Sequence, residues 1–150
     1  MENNPLRQQV ARIRQSLFDE GLVDKQFVQL EQLEDSNNPN FVEEIVTMFF
    51  RDSTKLFATV DEALSKTPLD IRKLERFVHQ FKGSSASIGA CKLRMECDEL
   101  REYCKQRNVE GCKASFERMK GHHEALRNKL EAYFQMARQA GPSETAQRPE

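Results

Sequence analysis

Apolar side chains recur every three or four residues along most of the chain, and this spacing constrains the fold more than any other feature of the sequence. Leu6, Val10, Ile13 and Leu17 show the pattern near the start, and residues 112–133 repeat it over six turns or so. Such a period is typical of amphipathic α-helices, and no convincing alternating strand pattern accompanies it. The chain is therefore predicted to be all-α.

Turn signals divide the pattern into six helical segments. Gly21, residues 35–39, Gly89 and residues 108–111 interrupt it, and Thr67-Pro68 is expected to start the fourth helix. Four of the segments are long and joined by short connections, which favours an up-down-up-down four-helix bundle with two additional N-terminal helices on one end or flank. We predict one domain over residues 1–140 and a disordered polar tail over residues 141–150.

Charge and cysteine spacing narrow the classes of partner. The formal net charge is −1, which gives no bulk electrostatic reason to bind nucleic acid or an acidic membrane. No apolar run approaches the roughly 20 residues that span a bilayer. The steps from Cys97 to Cys104 and from Cys104 to Cys112 are close to whole helical turns. We expect the four cysteines, Cys91 among them, to be small core residues on one side of their helices. Zinc is the alternative, but the ligand spacing does not support it, and no metal is predicted.

One of the three histidines lies off the apolar face of its helix. With the fourth helix's apolar stripe centred on Leu74, His79 projects about 140° away from it at 100° per residue. It is therefore predicted to be a solvent-facing imidazole in the middle of a helix. His123 falls on the apolar stripe of the last helix and His122 at its edge, so both are expected to be packed or half-exposed.

Small residues surround His79 on its own side of the helix. Gly83 follows one turn later, and Ala86 and, if the helix extends that far, Ala90 continue the same side. Solvated faces usually carry long polar side chains, whereas a bare face suggests that another protein's backbone approaches the histidine. The alternative is that the helix ends at Gly83 and the residues after it form a loop.

Two charged residues are expected beside the imidazole. Lys82 follows His79 by three residues and is its neighbour on a helix surface. Its charge would disfavour the imidazolium form and could neutralise an anionic group that becomes attached to the ring. Glu75, one turn before, could accept a hydrogen bond from the other ring nitrogen and orient the ring; the alternative is a solvated glutamate.

Residues 79–90 read HQFKGSSASIGA and strongly resemble the signature of plant histidine-containing phosphotransfer proteins, His-Gln-Leu/Phe-Lys-Gly-Ser-Ser-x-Ser-Ile/Val-Gly-Ala. The likeness extends to residues 16–33 and 38–44, to Arg101-Glu102-Tyr103-Cys104 and to Glu110-Gly111-Cys112. Only the tail after about Ala140 falls outside it.

This resemblance implies a four-helix bundle with extra N-terminal helices, in which His79 carries the phosphoryl group and Lys82 assists. It implies that Gly83 leaves room for a docked receiver domain, and we expect Gln80 on that docking surface with Ala86 and Ala90. It also implies a relay from hybrid histidine kinase to response regulator, as in cytokinin signalling. The receiver would supply the aspartate and Mg²⁺, so the chain itself needs no cofactor. Some family members have lost the histidine and act as inhibitors, but this sequence keeps it.

Three other functions are alternatives to a phosphorelay mediator. An ATP-using kinase would need a nucleotide site, and no Walker loop is present, so we expect a phosphotransfer intermediate without catalytic turnover. A helical adaptor that binds receiver domains without phosphotransfer is the main alternative, and a metal-binding bundle is the third. The protein is expected to be a monomer. It is expected in both the cytoplasm and the nucleus, because a chain of 17.4 kDa needs no import signal to enter the nucleus.

Overall fold

Six helices make up the computed structural model, which describes residues 5–141. They are α1 (Pro5–Asp19), α2 (Lys25–Glu31), α3 (Phe41–Leu64), α4 (Ile71–Ser87), α5 (Cys91–Lys105) and α6 (Val109–Ala140). The all-α prediction is confirmed. Apart from Gly141, which follows the last turn of α6, the predicted C-terminal tail lies outside the described residues.

Side-chain caps fix where three of the helices begin. Asp24, Asp70 and Asn108 accept hydrogen bonds from backbone N–H groups in the first turns of α2, α4 and α6. Each of these bonds satisfies a donor that the helix itself leaves unpaired. The prediction that Thr67-Pro68 starts the fourth helix was therefore wrong, because Asp70 caps it and α4 begins at Ile71.

Helices α3 to α6 form the predicted bundle, each antiparallel to the next. The ring of Phe49 in α3 contacts that of Phe81 in α4, and the ring of Phe57, further along α3, contacts that of Phe77, which comes earlier in α4. The two helices therefore run in opposite directions. At the hairpin formed by α5 and α6, the sulfur atoms of Cys104 and Cys112 lie 3.9 Å apart across the turn. These contacts give the up-down-up-down arrangement, in which short connections join neighbouring helices.

Aromatic rings fill the centre of the bundle. Phe57 of α3 contacts the rings of Phe77 and Phe81 on α4 and of Phe116 on α6. Cys97, Cys104 and Cys112 are buried, as their spacing predicts, while Cys91 is half-buried. Desolvation by burial raises the pKa of Cys97 and of Cys104 to about 12, so both side chains are thiols at neutral pH.

The two N-terminal helices pack against the bundle and hold one charged group inside it. Glu31 of α2 is buried and accepts two hydrogen bonds from the Arg14 guanidinium of α1, at 2.6 and 2.9 Å. It also accepts one at 3.3 Å from the Tyr133 hydroxyl of α6. Multiple donors of this kind are what a buried carboxylate needs. The trio fixes α1 and α2 to α6.

Neither a membrane span nor a metal cluster is found in the part of the chain that the structure describes. No helix between residues 5 and 141 is long and apolar enough to cross a bilayer. The same residues contain no group of three or more His, Cys, Asp and Glu side chains that could hold a metal ion.

Candidate functional site

His79 lies on the outer face of α4. Leu74, Val78 and Phe81 of the same helix are buried in the bundle, whereas His79 and Gln80 are exposed. The outward orientation predicted from the helical spacing is confirmed. Because the helix is anchored by its buried stripe, it presents the imidazole from a rigid support.

Gly83 lies inside a continuous helix and not at its end. Helix α4 runs to Ser87, so the alternative of a loop after Gly83 is wrong. A Cβ atom added at Gly83 would meet no other atom within 4 Å, apart from its chain neighbours and the helix's own backbone. The glycine therefore fills no internal packing requirement, and its effect is to leave open surface one turn from His79.

The face of small residues is shorter than the sequence suggests. Ala86 is half-buried on α4, but Ala90 is only 1% exposed and lies before α5, where it packs into the core. The expectation that Ala90 forms part of the docking surface was wrong. The reason is local: Gly89 adopts a φ of +77°, which ends the helical path and turns the chain inward.

Lys82 is already paired in this structure. Its ammonium nitrogen donates to Asp98 Oδ1 of α5 at 2.7 Å, and the two side chains are 40% and 55% exposed. By contrast, no hydrogen bond joins Glu75 to His79 among the described residues, so the geometry gives no support to the ring-orienting role expected for Glu75.

Two further cations adjoin the imidazole. A surface pocket of about 320 Å³ is lined by Glu75, Val78, His79, Lys82, Arg101 and Lys105. Arg101 and Lys105 belong to α5 and bring two positive charges to the edge of the pocket that contains His79. Neither residue is predicted from the sequence to have a role in the site. They lie four residues apart and so share one face of α5. Only the packing of α4 against α5 shows that this face lies beside His79.

The turn between α4 and α5 sets that pairing. A Cβ atom at Gly89 would lie 2.6 Å from the backbone nitrogen of Phe27. The Gly89 carbonyl also accepts a hydrogen bond from the backbone N–H of Asp24 at 3.0 Å. The turn is thus clamped against the start of α2, and this fixes which α5 residues stand opposite His79 and Lys82.

The other two histidines have different surroundings. His123 is 7% exposed, its Nε2 shares a 2.7 Å hydrogen bond with Ser53 Oγ, and its ring contacts those of Phe50 and Phe57. Desolvation, with a smaller contribution from nearby Arg127, lowers the pKa of His123 to about 4. His122 is half-buried, with Nε2 at 3.6 Å from Glu96 Oε2. Of the three, His79 is the exposed ring.

An exposed imidazole with cations beside it has a definite chemical capacity. A neutral imidazole carries one nitrogen lone pair and can act as a nucleophile. Positive charges on Lys82, Arg101 and Lys105 would stabilise negative charge that arrives on the ring. The arrangement fits transient attachment of an anionic group to His79.

Comparisons with known proteins agree with this geometry. The profile of the Hpt domain matches residues 44–139. The chain is 47% identical to pseudo histidine-containing phosphotransfer protein 5 of Oryza sativa subsp. japonica, over 99% of this chain and 98% of the relative. It is 49% identical to histidine-containing phosphotransfer protein 4 of Arabidopsis thaliana, over 77% and 91% respectively. The solved structure of a histidine-containing phosphotransfer protein from Medicago truncatula superposes with a TM-score of 0.88 at 33% identity, covering 98% of each chain.

Proposed function

The chain belongs to the histidine-containing phosphotransfer (Hpt) family of two-component signalling, and from that premise we propose that it carries phosphoryl groups between receiver domains on His79. The observation that carries the proposal is the position of His79. It is an exposed imidazole on an unbroken helix, one turn before a glycine whose added Cβ would meet nothing. We infer that the donor is the receiver aspartate of a hybrid histidine kinase and the acceptor that of a response regulator.

The reaction needs few groups from this chain. The lone pair of one His79 ring nitrogen attacks the phosphorus of the receiver's aspartyl phosphate, and the P–O bond to the aspartate breaks. The electron pair of that bond leaves with the carboxylate, and the second ring nitrogen keeps its proton. Transfer to the next receiver is the reverse of this step. Phosphoryl transfer depends mainly on positioning and charge neutralisation, so the receiver's Mg²⁺ and the cations near His79 supply most of what is required.

The charge on the phosphoryl group assigns roles to the basic residues. A phosphorylated side chain carries about −1.5 to −2 charges near neutral pH. Lys82 is the neighbour on α4, and Arg101 and Lys105 reach the same pocket from α5. We propose that Lys82 is the main stabilising cation and that the two α5 residues add to it. The exposed position of all three limits each contribution, because water screens charges at a surface.

The surface around Gly83 is the proposed docking face. Gln80 is exposed beside His79. On the next two turns, Gly83 has no side chain and Ala86 has only a methyl group, so neither projects far from the helix. A receiver must bring its aspartate within bonding distance of the imidazole, which long side chains at positions 83 and 86 would prevent. In this account the protein acts as a monomer in cytokinin-type signalling, in the cytoplasm and nucleus.

A second function is favoured by one specific observation. The 47% identical rice relative, which aligns with nearly the whole chain, is named a pseudo phosphotransfer protein. An adaptor that binds receivers without exchanging phosphate would use the same docking face and the same fold. The two functions differ in one measurable property, which is whether phosphate moves.

The experiment that separates them is incubation of the purified chain with a receiver domain labelled on its aspartate. The proposed function predicts that label leaves the receiver and appears on this chain within the lifetime of the aspartyl phosphate. The label should be stable to alkali and labile to acid, as phosphohistidine is and phosphoserine is not. Addition of a second, unlabelled receiver should then draw the label onward.

The adaptor predicts a different pair of results. Binding of the receiver, measured by titration calorimetry, would be retained, but the chain would gain no label above that of a heat-denatured control. That outcome would reject phosphotransfer and would leave the docking face intact.

A further inference from the structure

Asp98 is an exposed acidic residue that pairs with a cation of the proposed phosphoryl site. It lies on α5 and accepts a 2.7 Å hydrogen bond from Lys82, the cation proposed above to stabilise phosphate on His79. A carboxylate near an incoming phosphoryl group repels it, and this one also occupies the ammonium group that the phosphoryl group needs. The Lys82–Asp98 pair therefore favours the unphosphorylated protein.

We propose that Asp98 is a positioning residue, which holds Lys82 in the resting protein and competes with the phosphoryl group for it. This inference rests on the proposed function of His79. When His79 is phosphorylated, Lys82 must turn from the Asp98 carboxylate towards the phosphoryl oxygens, or divide its three N–H donors between them. When the phosphoryl group leaves, Lys82 returns to Asp98. No covalent change occurs at either residue.

Competition between Asp98 and the phosphoryl group for Lys82 suits a protein that must both accept a phosphoryl group and pass it on. A site with three unopposed cations would stabilise the phosphorylated state and slow onward transfer. Lys82, Arg101 and Lys105 line the pocket with His79 and Glu75. Asp98 pairs with Lys82 and so offsets the charge of one of the three cations. Asp98 thereby keeps the two phosphorylation states closer in free energy, so that phosphate can pass in either direction.

The exposure of Lys82 and Asp98 to solvent limits how far their pairing shifts the transfer equilibrium. Lys82 and Asp98 are 40% and 55% exposed, so water and salt screen their attraction. Exposed ion pairs of this kind correspond to a factor of about two to five in an equilibrium constant. Asp98→Asn keeps the shape of the side chain and removes its charge. It should shift the transfer equilibrium towards the phosphorylated chain by about that factor.

The experiment measures the equilibrium distribution of label between a phosphorylated receiver and this chain. Wild type, Asp98→Asn, Lys82→Ala and the Asp98→Asn/Lys82→Ala double variant are compared. Glu99→Gln is the matched control, because it removes an equal charge from the adjacent exposed position of α5. The expected result is a higher phosphorylated fraction for Asp98→Asn, no change for Glu99→Gln, and a smaller effect of Asp98→Asn when Lys82 is absent.

Several results would overturn the inference. An unchanged or lower phosphorylated fraction in Asp98→Asn would mean that the pair does not oppose phosphorylation. An equal increase with and without Lys82 would mean that Asp98 acts by direct repulsion and not through Lys82. If wild type itself gains no label, the proposed function fails and this inference fails with it. A labelled wild type with an unresponsive Asp98→Asn rejects the inference alone.

Discussion

The buried imidazole of His123 predicts how the stability of the bundle depends on pH. In the folded protein the ring lies among phenylalanines and shares a hydrogen bond with Ser53, and its pKa is lowered to about 4 from the 6.5 of an exposed histidine. The charged groups that line the adjoining cavity with it are all on its own helix: Lys120, Glu124, Arg127 and Glu131. On α3 its neighbours are aromatic rings and hydroxyl groups.

The direction in which stability changes with pH depends on whether the folded or the unfolded state binds the proton on His123 more tightly. Between pH 4 and pH 6.5 the unfolded chain protonates His123 while the folded protein keeps it neutral, so folding becomes less favourable as the pH falls. The full difference of 2.5 pKa values corresponds to about 3 kcal/mol, which is reached below pH 4. Between pH 7 and pH 5 the loss from this one residue is about 2 kcal/mol.

His123→Gln isolates that contribution, because glutamine can still hydrogen-bond Ser53 but does not titrate. Urea unfolding at pH 7 and pH 5 should show that wild type loses about 2 kcal/mol more than His123→Gln. Other titrating groups are common to both proteins and cancel in the difference. Equal pH dependence in wild type and His123→Gln would refute the argument.

Three other predictions concern the surface near His79 and a contrasting glycine. Lys82→Ala should slow phosphotransfer in both directions by about tenfold or more in rapid-quench measurements, with a smaller effect on receiver binding, because it removes a cation from the transition state. Unchanged rates would make Lys82 a solubilising residue only. Gly83→Ala should stabilise the fold by up to about 1 kcal/mol, whereas Gly111→Ala should destabilise it by about 1–3 kcal/mol, since the new Cβ would lie 2.3 Å from the Tyr103 ring. Gly83→Gln should unfold near the wild-type temperature yet abolish transfer, and normal transfer by that variant would place the docking face elsewhere.

Features that depend on one helix alone could be predicted from the sequence. The outward position of His79 follows from its angle to Leu74 and Phe81, because a helix has a fixed geometry. The burial of His123 follows in the same way from its place on the apolar stripe of α6. Neither feature depends on which helices are neighbours.

Features that depend on two helices could not be predicted in this way. The pairing of Lys82 with Asp98, and the approach of Arg101 and Lys105, depend on how α4 and α5 are aligned. That alignment is set by the turn at Gly89, whose positive φ and tight contact with Phe27 are tertiary facts. The same turn explains why Ala90 is buried, although the helical spacing carried forward from His79 places it on the outer face.

The residue that carries the phosphoryl group decides whether His79 is the acceptor. Wild type, His122→Gln and His79→Gln are incubated with the same labelled receiver, and the modified residue is mapped by mass spectrometry under alkaline conditions. The account predicts label on His79 in the first two proteins and none in His79→Gln, which should keep the circular dichroism spectrum and unfolding temperature of wild type. Label on His122 or His123 in folded His79→Gln would contradict it.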